Sequence, residues 1–486
     1  MKKIETALTF DDLLLVPKLF RGTSRSQIST ATQFSKKISL NIPIVSSNMD
    51  TVTESEMAIV MARSGGIGVI HRFLPIEKQV KQVKQVKRAQ NYIIEKPYTL
   101  PVTATIDDVR STMDLYHVSG ILITGKDDTL QGIITHRDLR FTETNGAEKV
   151  DCYMTPRTSM VVGNDSMSLE EAKAILKEKK VEKLPLVDSD NKITGLITSV
   201  DIERSQQAPK ATKDHKGRLM VSAAIGVKSD AVKRSDALLK ADVDALLIDI
   251  AHGHSDLAIN TVKKLRSEFG DDLDIIAGNV ATAEGTADLI SAGADAIKVG
   301  VGPGSICITR IVTGSGVPQM TAIFDSASVA KEHNIPIIAD GGIRTSGDLT
   351  KAIAAGASTV MLGNLLAGTT ESPGFPIIKN GRKFKVVRGM ASLGASLGRE
   401  SQEREFKGSF DENFDDFLEI VPEGVEAMVP FRGSATEVLQ QLVGGLRSGI
   451  SYCGSLSIPE MQEKAEFIRI TGAGAKESRS HDVDVA

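Results

Sequence analysis

From Ile42 onward the chain repeats one pattern: a short apolar run ending in small or polar residues, then an amphipathic stretch, then another run. The runs fall at residues 43–47, 67–70, 221–225, 245–249, 274–278, 296–300, 336–339 and 359–362. Segments this short and this apolar fit strands buried on both faces, as in parallel sheets. The stretches 255–269 and 283–292 between them carry helical spacing, and Gly293 supplies a C-cap. Eight buried strands alternating with helices predict a closed parallel (β/α)8 TIM barrel, with an open doubly wound sheet as the alternative. Residues 1–40 read as an irregular arm before the series starts.

A barrel of this kind gathers its chemistry on the loops that follow the strands. The corresponding clusters are Asn48-Met49-Asp50, His252-Gly253-His254, Asn279, Asp340-Gly341-Gly342, Gly363-Asn364 and one glycine-rich run. That run is Gly300-Val301-Gly302-Pro303-Gly304-Ser305-Ile306-Cys307-Ile308-Thr309-Arg310. Its glycines let backbone approach a ligand and leave N–H groups free for an anion. Cys307 ends the loop, where N–H dipoles favour a thiolate. A phosphate cradle beside a nucleophile points to covalent catalysis on a phosphorylated substrate, and an ordinary turn with a buried cysteine is the alternative. His252 and His254 lack a third ligand at metal spacing, so they read as loop histidines near a cofactor, and His71 reads as a packing residue.

The strand series breaks between about 93 and 205. Gly132-Ile-Ile-Thr135-His-Arg-Asp138 recurs as Gly195-Leu-Ile-Thr198-Ser-Val-Asp201, and His117–Gly120 aligns with Lys180–Lys183 at the same offset. Two matches at one offset indicate an internal duplication. Each copy reads helix, strand, turn, strand, helix, with the turns at Asp127-Asp128 and Asp188–Asn191. The domains expected are therefore a barrel of residues 1–92 and 206–486, and a duplicated insert of 93–152 and 153–205. Just before the insert, residues 77–88 place Lys78, Lys81, Lys84 and Lys87 at every third position, which reads as a solvated barrel helix. Residues 391–430 are polar, glycine-bearing and acidic, the composition of a mobile flap over an active site or of a disordered insertion.

Bulk composition narrows the function classes. A net charge of −4, no Trp and 4% aromatics give neither the electrostatics nor the stacking surfaces for nucleic acid as the main partner. Three dispersed cysteines, Cys152, Cys307 and Cys453, make no disulfide framework and favour a reducing compartment. No run approaches a membrane span and the first residues lack an apolar signal core, so a cytoplasmic location is expected.

Together the Cys307 loop, Met49-Asp-Thr-Val-Thr-Glu54, Ala339-Asp-Gly-Gly-Ile-Arg344 and Arg388-Gly-Met390 resemble the IMP dehydrogenase and GMP reductase superfamily over essentially the whole chain. The duplicated insert is similar to a tandem pair of CBS modules. The resemblance implies that Cys307 attacks the purine C2 of IMP and that hydride passes to NAD. The covalent thioimidate is then hydrolysed to XMP. It implies phosphate binding by Ser305, Gly342, Gly363 and Asn364, ribose binding by Asp340, and base contacts from Gly389, Met390 and Glu423. The cofactor side falls to Asp249, Asn279, Gly300 and Gly302. A potassium ion is implied at the carbonyls of Gly302, Gly304 and Cys307, with Glu477, Ser478 and Arg479 of a neighbouring subunit of a homotetramer or octamer. Adenine or guanine nucleotides are implied at Thr135, Asp138, Thr198 and Asp201.

Several positions depart from the dehydrogenase pattern. The flap's water-activating Arg-Tyr pair corresponds to Arg404-Glu405, so a glutamate replaces the tyrosine. Thr309 with Glu423 forms the second water-activating pair of the family. Asn48, Ile250-Ala251, Ala391 and Val387 lean toward GMP reductase, which uses the same cysteine with NADPH, makes IMP and expels ammonia. Val52-Thr53-Glu54, the 343–348 run and the insert lean toward dehydrogenase. IMP oxidation is the first expectation and GMP reduction the alternative. A CBS nucleotide sensor with weak catalysis is a third.

Overall fold

The computed structural model describes residues 4–89, 93–94, 96–116, 118–140, 146–164, 167–206, 208–392 and 422–478. Eight parallel strands close into a barrel: β1 (Ile44–Ser46), β2 (Ile67–Ile70), β3 (Ser222–Ile225), β4 (Ala245–Ile248), β5 (Asp274–Val280), β6 (Ala296–Val299), β7 (Ile337–Asp340) and β8 (Thr359–Leu362). They pair in chain order, and β8 returns to β1 through Val360 and Ile44. Helices α1 (Ser55–Arg63), α2 (Ile76–Ala89), α3 (Ala231–Leu239), α4 (Asp256–Phe269), α5 (Ala283–Ser291), α6 (Gln319–Glu332), α7 (Ser346–Ala354) and α8 (Ala435–Tyr452) follow the strands in turn.

Strand alternation splits the core in two. Outward residues such as Ile44, Ile70, Leu246, Ile297 and Val360 pack under the helices, whereas Val45, Val69, Leu247, Ile276, Ile338 and Met361 fill the barrel interior. The arm closes this interior: Phe34, Ile38 and Leu40, beside the paired strands Thr32–Gln33 and Ser39–Leu40, join the same cluster fully buried. Ser35 and the Lys37 N–H both donate to Asp274 at the start of β5. The arm is thus a plug, where the sequence suggested only irregular chain. It ends its first half in a second tie, Leu13–Leu15 paired antiparallel with Phe467–Arg469.

Along α2 the lysine periodicity holds for Lys78, Lys81 and Lys84, which are exposed, but Lys87 is buried. Its ammonium lies 3.1 Å from Asp214 and 2.7 Å from Asp244.

The chain divides into two compact units, one of Met1–Ala89, Lys210–Asp214 and Leu219–Ala486, the other of Gln90–Pro209 and His215–Arg218. The second unit holds two sheets. One runs Thr155–Pro156, Leu130–Thr135, Gly120–Thr124, Thr99–Pro101; the other runs Lys183–Val187, Ile193–Thr198, Ile93–Ile94. Helices Ile106–Tyr116 and Leu169–Lys179 precede the two hairpins, whose turns place Asp128 and Asn191 at positive φ. Among the described residues no helix is long and apolar enough to cross a membrane.

Candidate active site

Loops from the strand ends converge on one cavity lined by Asn48, Met49, Arg72, Asp249, Asn279, Lys298, Cys307, Thr309, Asp340, Met390 and Glu423, among others. The loop after β6 presses against the end of β7. A Cβ at Gly300 would lie 2.0 Å from the Asp340 carbonyl oxygen, so only glycine, at φ 150°, permits this approach. Gln319 at the start of α6 braces the same corner, donating to the carbonyls of Val299 at 2.9 Å and Asp340 at 3.2 Å.

Cys307 is half-buried and its backbone bridges to Gly424. The Ile308 N–H donates to the Glu423 carbonyl at 2.8 Å and the Val425 N–H to the Ile306 carbonyl at 3.0 Å. This short ladder brings a distant glutamate to the cysteine. The Cys307 thiol donates to Thr309 Oγ1 at 3.1 Å, and that hydroxyl donates to Glu423 Oε2 at 2.7 Å. Thiol, hydroxyl and carboxylate therefore form one continuous path for a proton.

The strand Arg382–Arg388 pairs with Glu426–Pro430, and the Glu423 N–H donates to the Ala391 carbonyl at 3.0 Å, which sets Met390 at the cavity wall. Arg388 is anchored on buried Asp50 with Nε 2.7 Å from Oδ2. That hydrogen bond pushes the Arg388 guanidinium above its ordinary range.

Two ion pairs face each other at the cavity floor. Arg72 Nε lies 2.9 Å from Asp249 Oδ2, and Lys298 Nζ lies 2.8 Å from Asp340 Oδ2. Burial pushes the Asp249 carboxyl up, but Arg72 and Lys298 outweigh it and hold it below the usual carboxylate range. Asn279 Nδ2 donates to the Gly300 carbonyl at 2.7 Å and to Asp340 Oδ2 at 3.0 Å, leaving its own Oδ1 buried without a partner among the described residues. An orphaned acceptor on the cavity wall suits a ligand amide such as a carboxamide.

Of the residues singled out from the sequence, the cavity collects Cys307, Thr309, Glu423, Asp340, Gly389, Met390, Asp249, Asn279, Gly300, Gly302 and Gly304. Ser305 is exposed on the loop and does not line it. Gly342 and Gly363 lie just beside it, their Cβ positions 3.6 Å from Pro303 and 3.1 Å from Met49 Sδ. Asn364 opens the short helix Asn364–Ala367 with its Oδ1 buried and without a partner among the described residues. Glu477 and Ser478, at the end of Gly472–Glu477, are not among the lining residues. Arg404, Glu405, Arg479, most of the expected flap and the Asp201 side chain lie outside the described residues.

His254 Nε2 is 2.8 Å from Asp288, and among the described residues no group of three or more metal-binding side chains exists. His71 is buried with Nε2 3.5 Å from Glu54, whose carboxyl it holds below the usual range. Sequence reasoning missed Lys298 and Arg72. Lys298 had a signal, being the one charge in an otherwise apolar strand; Arg72 had none beyond its place after β2.

A family model described as the IMP dehydrogenase / GMP reductase domain matches residues 7–481. The chain belongs to the IMP dehydrogenase and GMP reductase family. It is 53% identical to an inosine-5'-monophosphate dehydrogenase of Nitrosopumilus maritimus, over 99% of each chain. It is 50% identical to a GMP reductase of Leishmania major, over 98% of this chain and 97% of the other. A solved GMP reductase of Trypanosoma brucei in complex with guanosine 5'-monophosphate superposes with a TM-score of 0.87 at 46% identity, covering 99% of each chain. The protein is accordingly an oxidoreductase of this family, whose members use nicotinamide cofactors.

Proposed function

We propose that this chain works at the C2 carbon of a purine nucleotide through Cys307, and that it runs reductively, converting GMP to IMP and ammonia with NADPH. The single closed relay from Cys307 through Thr309 to Glu423 carries this reading. Attack of the sulfur on C2 of GMP frees the thiol proton. It moves to Thr309 while the threonine's own proton moves to Glu423. Glu423 then returns a proton to the amine, which leaves as ammonia and gives the Cys307 thioimidate. Asp249 and Asn279 would hold a reduced nicotinamide, whose chemistry would be to supply the hydride for C2. The sulfur departs as IMP forms and regains a proton from solvent. One carboxylate holds one proton, and this direction asks it only to store one and give it back.

Oxidation of IMP to XMP with NAD is the second reading. There the thiol proton reaches Glu423 first, and water must then also be deprotonated, so the relay must be emptied in between or a second base must act. The residue that would supply it is Glu405 in place of the family's tyrosine. The 53% identity to a dehydrogenase favours this direction. Chain length does not separate the two, because the Leishmania GMP reductase matches over 97% of its own length.

The remaining roles follow the same reading. Gly342, Gly363, Asn364 and Ser305 hold the phosphate, Asp340 the ribose, and Met390 with Glu423 the base. The carbonyls of Gly302, Gly304 and Cys307 are hard oxygen donors, and with no side chain at either glycine to cover them they suit a potassium ion. Completed by Glu477, Ser478 and Arg479 of a neighbouring subunit, that site requires a homotetramer or octamer and braces the loop. The second unit is read as a tandem CBS pair in which Thr135, Asp138, Thr198 and Asp201 bind adenine or guanine nucleotides. A cavity lined by Thr135, Arg137, Asp138, Lys180 and Lys183 supports this. A cytoplasmic enzyme fits the three free thiols.

Purified protein given GMP with NADPH, and separately IMP with NAD, decides the direction by nicotinamide absorbance. NADPH oxidation with GMP is expected. NADH formation from IMP without it would reverse the assignment.

A further inference from the structure

A lysine inside a barrel is costly unless its charge is used. Lys298 shares its strand face with Ala296, which belongs to the interior cluster, and its side chain is 4% exposed. It stands where the apolar interior gives way to the cavity. The neighbouring strand makes room for it: a Cβ at Gly278 would lie 2.7 Å from the Lys298 Cβ. On its other side, its ammonium meets Asp340 Oδ2 at the end of the adjacent strand β7 at 2.8 Å, and the same oxygen accepts from Asn279 Nδ2 at 3.0 Å. That oxygen is saturated by two donors. Asp340 Oδ1 has no hydrogen-bond partner among the described residues and belongs to a residue lining the cavity.

We infer that Lys298 is a positioning residue: by holding Asp340 through Oδ2 it presents Oδ1 as a fixed acceptor for a nucleotide ribose hydroxyl, and so sets the preference for ribonucleotides over deoxyribonucleotides. The inference rests on the assignment of Asp340 to the ribose, not on the direction of catalysis. An acceptor oxygen locked in place rewards a hydroxyl and is left without a partner when the hydroxyl is missing. A loose carboxylate turns toward water and discriminates less. Lys298 itself reaches no substrate atom in this account.

The test measures calorimetric dissociation constants for GMP and IMP and for their 2'-deoxy and 3'-deoxy analogues, on wild type, Lys298→Met, Lys298→Gln and Asn279→Ala. Wild type is expected to disfavour one of the deoxy analogues by roughly 10- to 100-fold. In the folded Lys298 variants that ratio should fall to within about threefold of unity, with KM rising more than kcat falls. Asn279→Ala keeps Lys298 on Asp340 and should retain most of the ratio. Equal losses for ribo- and deoxynucleotides in the Lys298 variants would overturn the inference, as would an unchanged ratio. Should neither Lys298 variant fold, an Asn279→Ala enzyme without discrimination would overturn it, and one with discrimination would support it. If IMP and not GMP is turned over, only the proposed direction fails, and the ribose comparison stands on IMP.

Discussion

Removing the middle of the proton path is the sharpest test of the chemistry. Thr309→Val keeps the shape of the side chain and deletes only the hydroxyl that accepts from Cys307 at 3.1 Å and donates to Glu423 at 2.7 Å. With a tetrahedral angle at Oγ1 the two ends lie roughly 4.7 Å apart, beyond any direct hydrogen bond. The thiol then loses its base and the departing group its acid in one substitution. General acid–base catalysis of this kind contributes about 100- to 10,000-fold, or roughly 3 to 5 kcal/mol of barrier. Stopped-flow single turnovers with saturating nucleotide should show the chemical step slowed within that range, while the calorimetric affinity for nucleotide changes by no more than about threefold. Alkylation of Cys307 by iodoacetamide, which needs the thiolate, should slow in parallel. A Thr309→Val enzyme that reacts within about fivefold of wild type would refute the relay and leave Glu423 as a wall of the cavity.

Cys307→Ala should abolish turnover in either direction yet still bind nucleotide by calorimetry; measurable turnover would exclude a covalent adduct. Arg388→Met leaves the Asp50 carboxylate buried without its cation. Because the arginine is 38% exposed, the loss in urea unfolding should be a solvent-screened ~1 to 3 kcal/mol rather than the full cost of breaking a buried pair. Asp244 has its carboxyl pushed up to about 6 from 3.8, chiefly by burial, with Lys87 pulling the other way. A carboxyl that binds its proton more tightly when folded favours the folded state at low pH. That contribution, up to roughly 3 kcal/mol, is lost as pH rises from about 4 through about 6. Asp244→Asn should flatten the melting temperature over that window, and an unchanged slope would show that Asp244 is not its source.

All eight barrel strands were legible because a strand buried on both faces has to be apolar throughout, and few other elements write that pattern over so short a run. The site loops were legible for a related reason. Glycine runs and isolated polar clusters right after such strands, as at Cys307 and Asp340, have few structural uses. What escaped notice depends on contacts distant in sequence. Phe34, Ile38 and Leu40 carry no period that tells an exposed arm from a barrel plug, because the plug gains its meaning from the eight strands it meets later. Lys87 follows the spacing of three exposed lysines and differs from them only through Asp214 and Asp244. Lys298 was visible as an anomaly, but its role needed Asp340 on the neighbouring strand. Glu423 entered through resemblance, and only the backbone ladder to Ile306 and Ile308 explains how it reaches the thiol.

An early strand and a much later one are sewn together. Leu13–Leu15 pairs with Phe467–Arg469, flanked by bonds from the Val16 N–H to the Glu466 carbonyl and from the Ile470 N–H to the Asp12 carbonyl. During synthesis the first of these strands must therefore wait for Phe467–Arg469 to be made. Until then three consecutive leucines present an open strand edge, the kind of surface that recruits other nascent chains. A ribosome stalled between Leu362 and Phe467 would leave a product whose barrel strands are all present and whose weakest point is this unpaired leucine strand.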